Sequence, residues 1–118
     1  MKEIRMGVVG SRNYHDYEFV KKYLDKFKNA TDNLVIVSGG ADGVDSLAKR
    51  YAEENNLRYV EFSANWQLHG NSAGPIRNRQ IVNYSDFIIA FHGANSKGTQ
   101  STINIAKEVG KKVMVVDI

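Results

Sequence analysis

The sequence has 118 residues, of which 42% are hydrophobic and 25% charged, and this composition predicts one globular domain over residues 1–118. Because it contains no cysteine, a disulfide framework, a thiolate zinc site and a cysteine nucleophile are excluded. No apolar stretch approaches the length of a membrane span, so we expect a cytoplasmic protein without a membrane partner. The net charge of +3 comes from scattered basic residues, which does not favour nucleic acid as a partner.

Five short apolar runs, each of β-strand length, follow one another along the chain. They are Ile4–Val9, Leu34–Val37, Tyr59–Phe62, Phe87–Phe91 and Val113–Val116. Several of them are almost continuously apolar, which is typical of strands buried on both faces of a parallel sheet. Helices are then required to cover both faces.

The segments between the runs carry helical patterns. Apolar residues recur at helical spacing over Phe19–Phe27 and Val44–Ala52. A third helix is predicted to begin at Pro75, since proline suits the first helical position. A fourth is predicted over about Thr99–Val109, with Gly110 as its C-terminal cap.

Strands that alternate with helices of this length imply right-handed crossovers. The sequence therefore predicts a single Rossmann-like α/β domain, a doubly wound sheet of five parallel strands in the order 3-2-1-4-5. Ligands of such sheets bind outside the carboxyl ends of the strands, at the topological switch point. The loops after strands one, two and four are thus the candidate ligand loops.

The first strand ends in Gly10, Ser11 and Arg12, which place a flexible backbone, a hydroxyl and a guanidinium at the predicted ligand edge. An arginine can hold a phosphate or a carboxylate through two parallel hydrogen bonds. A turn followed by a surface arginine explains the same tripeptide equally well.

The second strand leads through a glycine-rich turn directly into the helix near Val44. The residues of this turn are Ser38, Gly39, Gly40, Ala41, Asp42 and Gly43. Backbone N–H groups and the helix dipole converge on an anion at such a turn, and adjacent glycines permit close approach. The alternative is a tight connection with Asp42 as N-cap and Asp45 in the first turn. Since both carboxylates repel a phosphate, we expect them to accept hydrogen bonds from ribose hydroxyls.

A long polar segment over Ala64–Arg79 carries the only tryptophan and brings two arginines to the third helix. Cations at a helix N-terminus oppose the helix dipole, so Arg77, with Asn78 beside it, indicates an anionic ligand. Solvated arginines are the alternative, because salt screens this penalty at an exposed site. Trp66 can either stack on a base or pack against the sheet edge.

The fourth strand is followed by another small-residue turn that rises into a helix. Its candidate ligand-binding residues are Gly93, Ser96, Lys97, Gly98 and Thr99. Glycines, hydroxyls and an ammonium group suit a phosphate cradle. The alternative is an ordinary loop with Thr99 or Ser101 as the helix cap.

The sequence predicts neither a metal site nor a cofactor. His15, His69 and His92 are widely separated and show no paired ligand spacing. A Ser-His-Asp site stays open because triads assemble in space, although no G-x-S-x-G elbow is present.

Taken in chain order, four segments resemble the SLOG superfamily, and in particular its YspA/cpYpsA-related branch of stand-alone domains. They are Gly10–Arg12, Ser38–Asp45, Ala73–Arg79 and Ser96–Thr99. This resemblance spans essentially the whole chain and implies a Rossmann-like fold with a site for nucleotides or ADP-ribose-related molecules. It further implies a role as a ligand sensor, and a homo-oligomer, because SLOG relatives commonly dimerise.

Other SLOG relatives are the LOG phosphoribohydrolases and the DNA-processing protein DprA. The resemblance matches Arg77 to an arginine that LOG enzymes pair with a glutamate, but the glutamate position falls on Thr102. A threonine cannot act as a carboxylate, so the resemblance to LOG enzymes does not supply the complete hydrolase mechanism. Binding of a nucleotide-derived, phosphate-bearing ligand is therefore the leading hypothesis. The alternatives are N-glycosidic hydrolysis, with Arg77, Asp42 and Asp45 as candidate catalytic residues, and DprA-like binding of single-stranded nucleic acid.

Overall fold

Five parallel strands form a single sheet in the computed structural model, which describes residues 2–118. In chain order the strands are β1 (Ile4–Gly10), β2 (Leu34–Ser38), β3 (Arg58–Glu61), β4 (Phe87–His92) and β5 (Val113–Asp117). They are arranged in the order β3-β2-β1-β4-β5, and every neighbouring pair is parallel. The predicted fold class and strand order are confirmed.

Helices cover the sheet on both faces. They are α1 (Tyr17–Lys28), α2 (Val44–Glu54), α3 (Trp66–His69), α4 (Ala73–Tyr84) and α5 (Lys97–Glu108). Buried side chains of α1 and α2 pack on one face of the sheet, and those of α4 and α5 pack on the other. Successive strand residues alternate between these two cores, for example Met6 and Val8 in the first core and Val9 in the second.

The start of α4 differs from the sequence prediction. The helix begins at Ala73 instead of Pro75, and most of the predicted polar loop before it consists of α3 and a 3-10 turn at Gly70–Ser72. The side chain of Asn65 caps α3 by accepting a hydrogen bond from the Leu68 N–H at 3.1 Å. Pro75 still lies in the first turn of α4, where its missing N–H costs no helical hydrogen bond.

The helix α5 begins two residues earlier than predicted, at Lys97, and ends one residue earlier, at Glu108. Gly110 follows with a φ of +73°, and its N–H donates to the Lys107 carbonyl at 3.2 Å. The next N–H, of Lys111, donates to the Ala106 carbonyl at 2.8 Å. These bonds form the glycine-dependent helix ending that the sequence predicts.

In a parallel sheet the carboxyl ends of all strands lie at the same edge. The loops that follow β1, β2 and β4 therefore meet where the strand order reverses. No helix in the described part of the chain is long and apolar enough to span a membrane.

Candidate functional site

A cavity of about 350 Å³ opens at the carboxyl ends of β1 and β4 and borders the start of α5; we call it the α5 cavity. Eleven of the predicted site residues line it. These are Gly10, Ser11, Arg12, Ala41, Asp45, Arg77, Asn78, Ser96, Lys97, Gly98 and Thr99.

A second cavity, of about 300 Å³, adjoins the first, and we call it the Trp66 cavity. The two cavities share Arg12, Ala41 and Arg77 as lining residues. The Trp66 cavity adds four further predicted residues, which are Gly39, Gly40, Asp42 and Trp66.

Two predicted site residues line neither cavity. Ser38 is fully buried, and its hydroxyl donates to the Val8 carbonyl at 2.8 Å, so it connects β2 to β1. The N–H of Gly93 donates to Oγ of Ser96 at 3.2 Å and thereby shapes the turn before α5. Both residues act on the position of the loops and do not face the cavities.

Several lining residues are absent from the sequence prediction. They are Val9, Asn13, Ile81, Ala94, Asn95 and Thr102 in the α5 cavity, and Ser63 and Ala64 in the Trp66 cavity. Helical spacing is a signal that identifies two of them, because Ile81 follows Arg77 by four residues and Thr102 follows Thr99 by three. The Thr102 hydroxyl donates to the Gly98 carbonyl at 3.1 Å.

The first turn of α5 presents unused hydrogen-bond donors to the α5 cavity. Its N-cap, Ser96, makes no side-chain cap, and the N–H groups of Gly98 and Thr99 have no acceptor within residues 2–118. Thr99 is only 5% exposed, lines the cavity, and has no hydrogen-bond partner for its hydroxyl among the same residues. A helix N-terminus in this state attracts an anion through its N–H groups and its dipole.

Arg77 is half-buried and held by two hydrogen bonds. Its Nη1 donates to the Gly39 carbonyl and its Nε to Oδ1 of Asn78, both at 2.9 Å. Asn78 in turn donates to the Gly98 carbonyl at 3.4 Å, so α4 is connected to both ligand loops. Burial lowers the pKa of Arg77, the charge of Asp45 opposes this shift, and the charge of Arg12 adds to it. The guanidinium stays protonated, and an anion between Arg12 and Arg77 relieves their repulsion.

Asp45 places a buried carboxylate in the α5 cavity. It is 6% exposed, and its Oδ2 accepts a hydrogen bond from the Ala41 N–H at 3.1 Å. Burial raises the pKa of Asp45 to about 6, although the Ala41 N–H and the charge of Arg77 both oppose this. Asp42, by contrast, is exposed and lines the Trp66 cavity.

The start of α2 differs from the sequence prediction. The N-cap is Gly43 with a φ of +73°, so the alternative prediction of Asp42 as N-cap is wrong. The N–H of Val44 donates to the Ser11 carbonyl at 3.1 Å. The first turn of α2 also contains the carboxylate of Asp45, whereas the first turn of α5 contains no acidic residue, so the turn before α5 suits an anion better.

The α5 cavity carries an excess of positive charge. Arg12, Arg77 and Lys97 line it, and none of them forms an ion pair with another residue of the described chain. Asp45 is the acidic residue among the lining side chains. Within residues 2–118, no group of three or more His, Cys, Asp or Glu side chains is placed to hold a metal ion.

Two sequence comparisons match this chain. The family model described as "YspA, cpYpsA-related SLOG family" matches residues 5–69. The Gene 61 protein of Mycobacterium phage D29 is 33% identical over an alignment 117 residues long, and the alignment covers 93% of this chain and 94% of the phage protein.

Three solved structures share the fold. DprA from Streptococcus pneumoniae has a TM-score of 0.80 at 23% identity, over 96% of this chain and 50% of that chain. A DprA from Helicobacter pylori, described by its unique single-stranded DNA binding mode, has a TM-score of 0.73 at 21% identity, over 95% and 64%. The molybdenum cofactor binding protein of Rippkaea orientalis has a TM-score of 0.76 at 22% identity, over 100% and 78%. The chain thus spans about half the length of the first DprA and less than two thirds of the second.

The prediction that disfavours nucleic acid as a partner is wrong, because a protein with this fold is described as binding single-stranded DNA. The prediction rested on the net charge of +3, which averages over the whole surface. The fold instead gathers Arg12, Arg77 and Lys97 around one opening, and a local group of cations attracts a polyanion whatever the total charge is.

Proposed function

Since the chain belongs to the YspA, cpYpsA-related SLOG family, we propose that it binds a phosphate-bearing, nucleotide-derived ligand in the α5 cavity. The ligand class is a nucleoside phosphate or a molecule related to ADP-ribose or NAD. The binding serves to sense or to sequester this ligand.

The observation that carries this proposal is the convergence of cationic side chains without ion-pair partners, and of free N–H groups, on one cavity. Lys97, Arg12 and Arg77 bring three cationic side chains without ion-pair partners in the described chain, and α5 brings the free N–H groups of Gly98 and Thr99. Cationic side chains normally remain in water or pair with carboxylates, so the arrangement of these three around a concave site favours an anionic ligand. A phosphate fits both the charge and the number of donors.

The polar groups deeper in the cavity suit the sugar of a nucleotide. Asp45 offers a carboxylate that accepts hydrogen bonds from hydroxyl groups beside the phosphate position. Thr102 occupies the cavity where the resemblance to LOG enzymes implies a glutamate, and its hydroxyl is engaged with the Gly98 carbonyl. This supports binding over N-glycosidic hydrolysis.

Calorimetric titration and thermal melting with AMP, ADP-ribose, NAD and cyclic ADP-ribose test the proposal. A ligand that binds the native state stabilises it by ~2.7 kcal/mol at a concentration of about 100 times its Kd, which raises the melting temperature. Failure of all four compounds to bind contradicts the proposal.

Two lysines of α5 give a matched pair of variants. Lys97→Ala removes a cation from the cavity and is expected to weaken binding roughly tenfold. Lys107→Ala removes the same charge from the last turn of the same helix and is expected to leave affinity unchanged. Equal losses in both variants mean that only the overall charge matters.

Single-stranded nucleic acid is the second candidate ligand. The two cavities adjoin along Arg12 and Arg77, and the second cavity has an exposed tryptophan. Proteins that bind a single strand combine such a positively charged path with aromatic side chains on which bases stack. The DprA from Helicobacter pylori, which shares this fold and is described as binding single-stranded DNA, also supports such a ligand. Fluorescence anisotropy with a labelled thymidine oligonucleotide, with and without excess ADP-ribose, tests it. Retention of the oligonucleotide and its displacement by ADP-ribose are expected if both occupy the α5 cavity.

A further inference from the structure

We propose that the Trp66 cavity is a nucleobase subsite, in which the exposed face of the Trp66 ring stacks on a base whose phosphate lies in the α5 cavity. The ligand then crosses from one cavity to the other beside Arg12 and Arg77. This inference rests on the proposed function and assigns a recognition role to a part of the molecule that phosphate binding leaves unused.

Trp66 is placed as a platform and not as a core residue. It is 52% exposed, although burial of a tryptophan is among the most favourable contributions to a core. Its ring edge packs against the start of α4, where a Cβ at Gly74 would lie 3.4 Å from Cη2. The ring is therefore supported by α4 at Cη2, while about half of the residue stays exposed and borders the Trp66 cavity.

The helix that carries Trp66 fixes its position. Trp66 is the first residue of α3, which the Asn65 side chain caps through the Leu68 N–H at 3.1 Å. An aromatic ring on a capped helix loses little additional conformational freedom when a base stacks on it. The structural alternative from the sequence, packing of Trp66 against the sheet, does not account for its exposure.

The sizes of the two cavities favour a ligand that spans both. Volumes of about 350 and 300 Å³ each lie at the low end of the range of about 300–1,000 Å³ that is typical of ligand pockets. Because the cavities share Arg12, Ala41 and Arg77 as lining residues, they adjoin there, and an extended ligand along these residues contacts both. A base, a sugar and one or two phosphates in sequence have this extended shape.

The charges along this path follow the chemistry of such a ligand. The two shared arginines suit a phosphate between the cavities, as in the pyrophosphate of ADP-ribose or between two residues of a strand. Beyond them Asp42 contributes an exposed carboxylate to the Trp66 cavity, which accepts hydrogen bonds from amino or hydroxyl groups. Positive charge thus borders the phosphate positions and an acceptor borders the base.

Intrinsic fluorescence tests the stacking directly, since Trp66 is the only tryptophan. AMP and ADP-ribose are expected to quench the tryptophan emission with the same apparent Kd that calorimetry gives. Ribose 5-phosphate, which has the phosphate and sugar but no base, is expected to bind calorimetrically and leave the emission unchanged. A thymidine oligonucleotide that quenches the emission identifies a strand as a source of the base, whereas an oligonucleotide that does not bind leaves the free nucleotide as the source.

Variants of α3 provide the second measurement. Trp66→Ala is expected to weaken AMP binding roughly 5- to 150-fold, the cost of losing one stacked base, and to leave ribose 5-phosphate binding unchanged. Trp66→Phe retains a ring and is expected to restore most of the affinity. Leu68→Ala is the matched control, because Leu68 is 72% exposed on the same helix and is not among the lining residues of either cavity.

The outcomes separate this inference from the proposed function. If AMP binds but neither quenches Trp66 nor loses affinity in Trp66→Ala, the base subsite is wrong while phosphate binding stands. If Trp66→Ala weakens AMP and ribose 5-phosphate equally, the residue has only a structural role. If ribose 5-phosphate, AMP and ADP-ribose all fail to bind, the proposed function fails and the subsite fails with it.

Discussion

Asp45 has a carboxylate in surroundings that disfavour its charge. The residue is 6% exposed, and burial raises its pKa from 3.8 to about 6 despite the Ala41 N–H and the charge of Arg77. A carboxyl group whose folded pKa is raised binds a proton more tightly in the native state than in the unfolded state. Its contribution to stability is therefore fully present below pH 4 and is lost as the pH rises through about 6.

Asp45→Asn is consequently expected to stabilise the protein at pH 8. A shift of this size corresponds to at most ~3 kcal/mol of unfolding free energy, and the lost attraction to Arg77 reduces the gain. Asparagine keeps an oxygen that accepts the Ala41 N–H. Urea denaturation of both proteins at pH 4 and pH 8 measures the effect, with a gain at pH 8 and little difference at pH 4. A variant that is less stable than the original protein at pH 8 shows instead that the ionised carboxylate stabilises the fold.

Arg77 is expected to depend on the shape of its guanidinium as well as on its charge. Its Nε and Nη1 donate to Asn78 and Gly39 at the same time, whereas a lysine has one nitrogen and cannot span both acceptors. Arg77→Lys is therefore expected to weaken ADP-ribose binding about tenfold or more with the net charge unchanged. Arg79→Lys is the control, because Arg79 is exposed and lies 3.9 Å from Glu108. Calorimetry on both variants checks this, and similar affinities contradict it.

At the scale of elements, the two ends of α5 differ. N–H groups in its first turn have no acceptor within residues 2–118, whereas hydrogen bonds from Gly110 and Lys111 end its last turn. The position of a Cβ on Gly98 meets no atom within 4 Å, and the same holds for Gly110, but only Gly110 has a positive φ. Gly98→Ala is thus expected to stabilise the helix by roughly 0.5–1 kcal/mol. The added methyl group also obstructs the N–H groups to which the phosphate binds, so affinity for AMP is expected to fall about tenfold.

Gly110→Ala gives the opposite result and serves as the comparison. An alanine in the left-handed region costs roughly 1–2 kcal/mol, while the cavity at the other end of α5 is unchanged. Thermal melting and calorimetry of the two variants are expected to show one protein that is more stable and binds weakly, and one that is less stable and binds normally. If Gly98→Ala binds AMP normally, the phosphate does not lie over the start of α5.

The elements were predictable where burial decided them. Val35, Ile36 and Val37 are completely buried, and such a continuous apolar run has few alternatives to a central parallel strand. The helix α3 was not predictable, because four residues are too few to show a helical period. Its only local signal is Asn65 as a helix cap, and asparagine is also common in turns.

The candidate site was predictable to the level of its loops. Topology alone places the ends of β1, β2 and β4 together, and the structure brings Arg12, Arg77 and Lys97 to one cavity. The direction of individual side chains could not be predicted from the sequence, since it depends on contacts between residues that are far apart in the chain. Ser38 is next to the ligand turn in sequence but donates to the Val8 carbonyl in the core.

At the scale of the whole molecule, charge is distributed unevenly over a protein whose net charge is only +3. The strands are parallel and each helix runs back along the sheet, so the last turn of α1, with Lys28, lies at the edge opposite the cavities. The edge that carries the cavities has three cations that form no ion pair within residues 2–118. Binding of a polyanion is therefore expected to depend on this edge and not on the total charge.

Salt dependence tests that distribution quantitatively. Each phosphate of a single strand that is neutralised contributes about −0.7 to the slope of log K against log salt, so three cations predict a slope near −2 for a thymidine oligonucleotide. Lys97→Ala is expected to reduce the steepness by about 0.7, whereas Lys28→Gln is expected to leave it unchanged, since its charge lies at the far edge. Anisotropy titrations across a range of salt concentrations measure all three slopes. A slope that is much steeper, or that changes equally in both variants, means that basic residues outside the two cavities hold the strand.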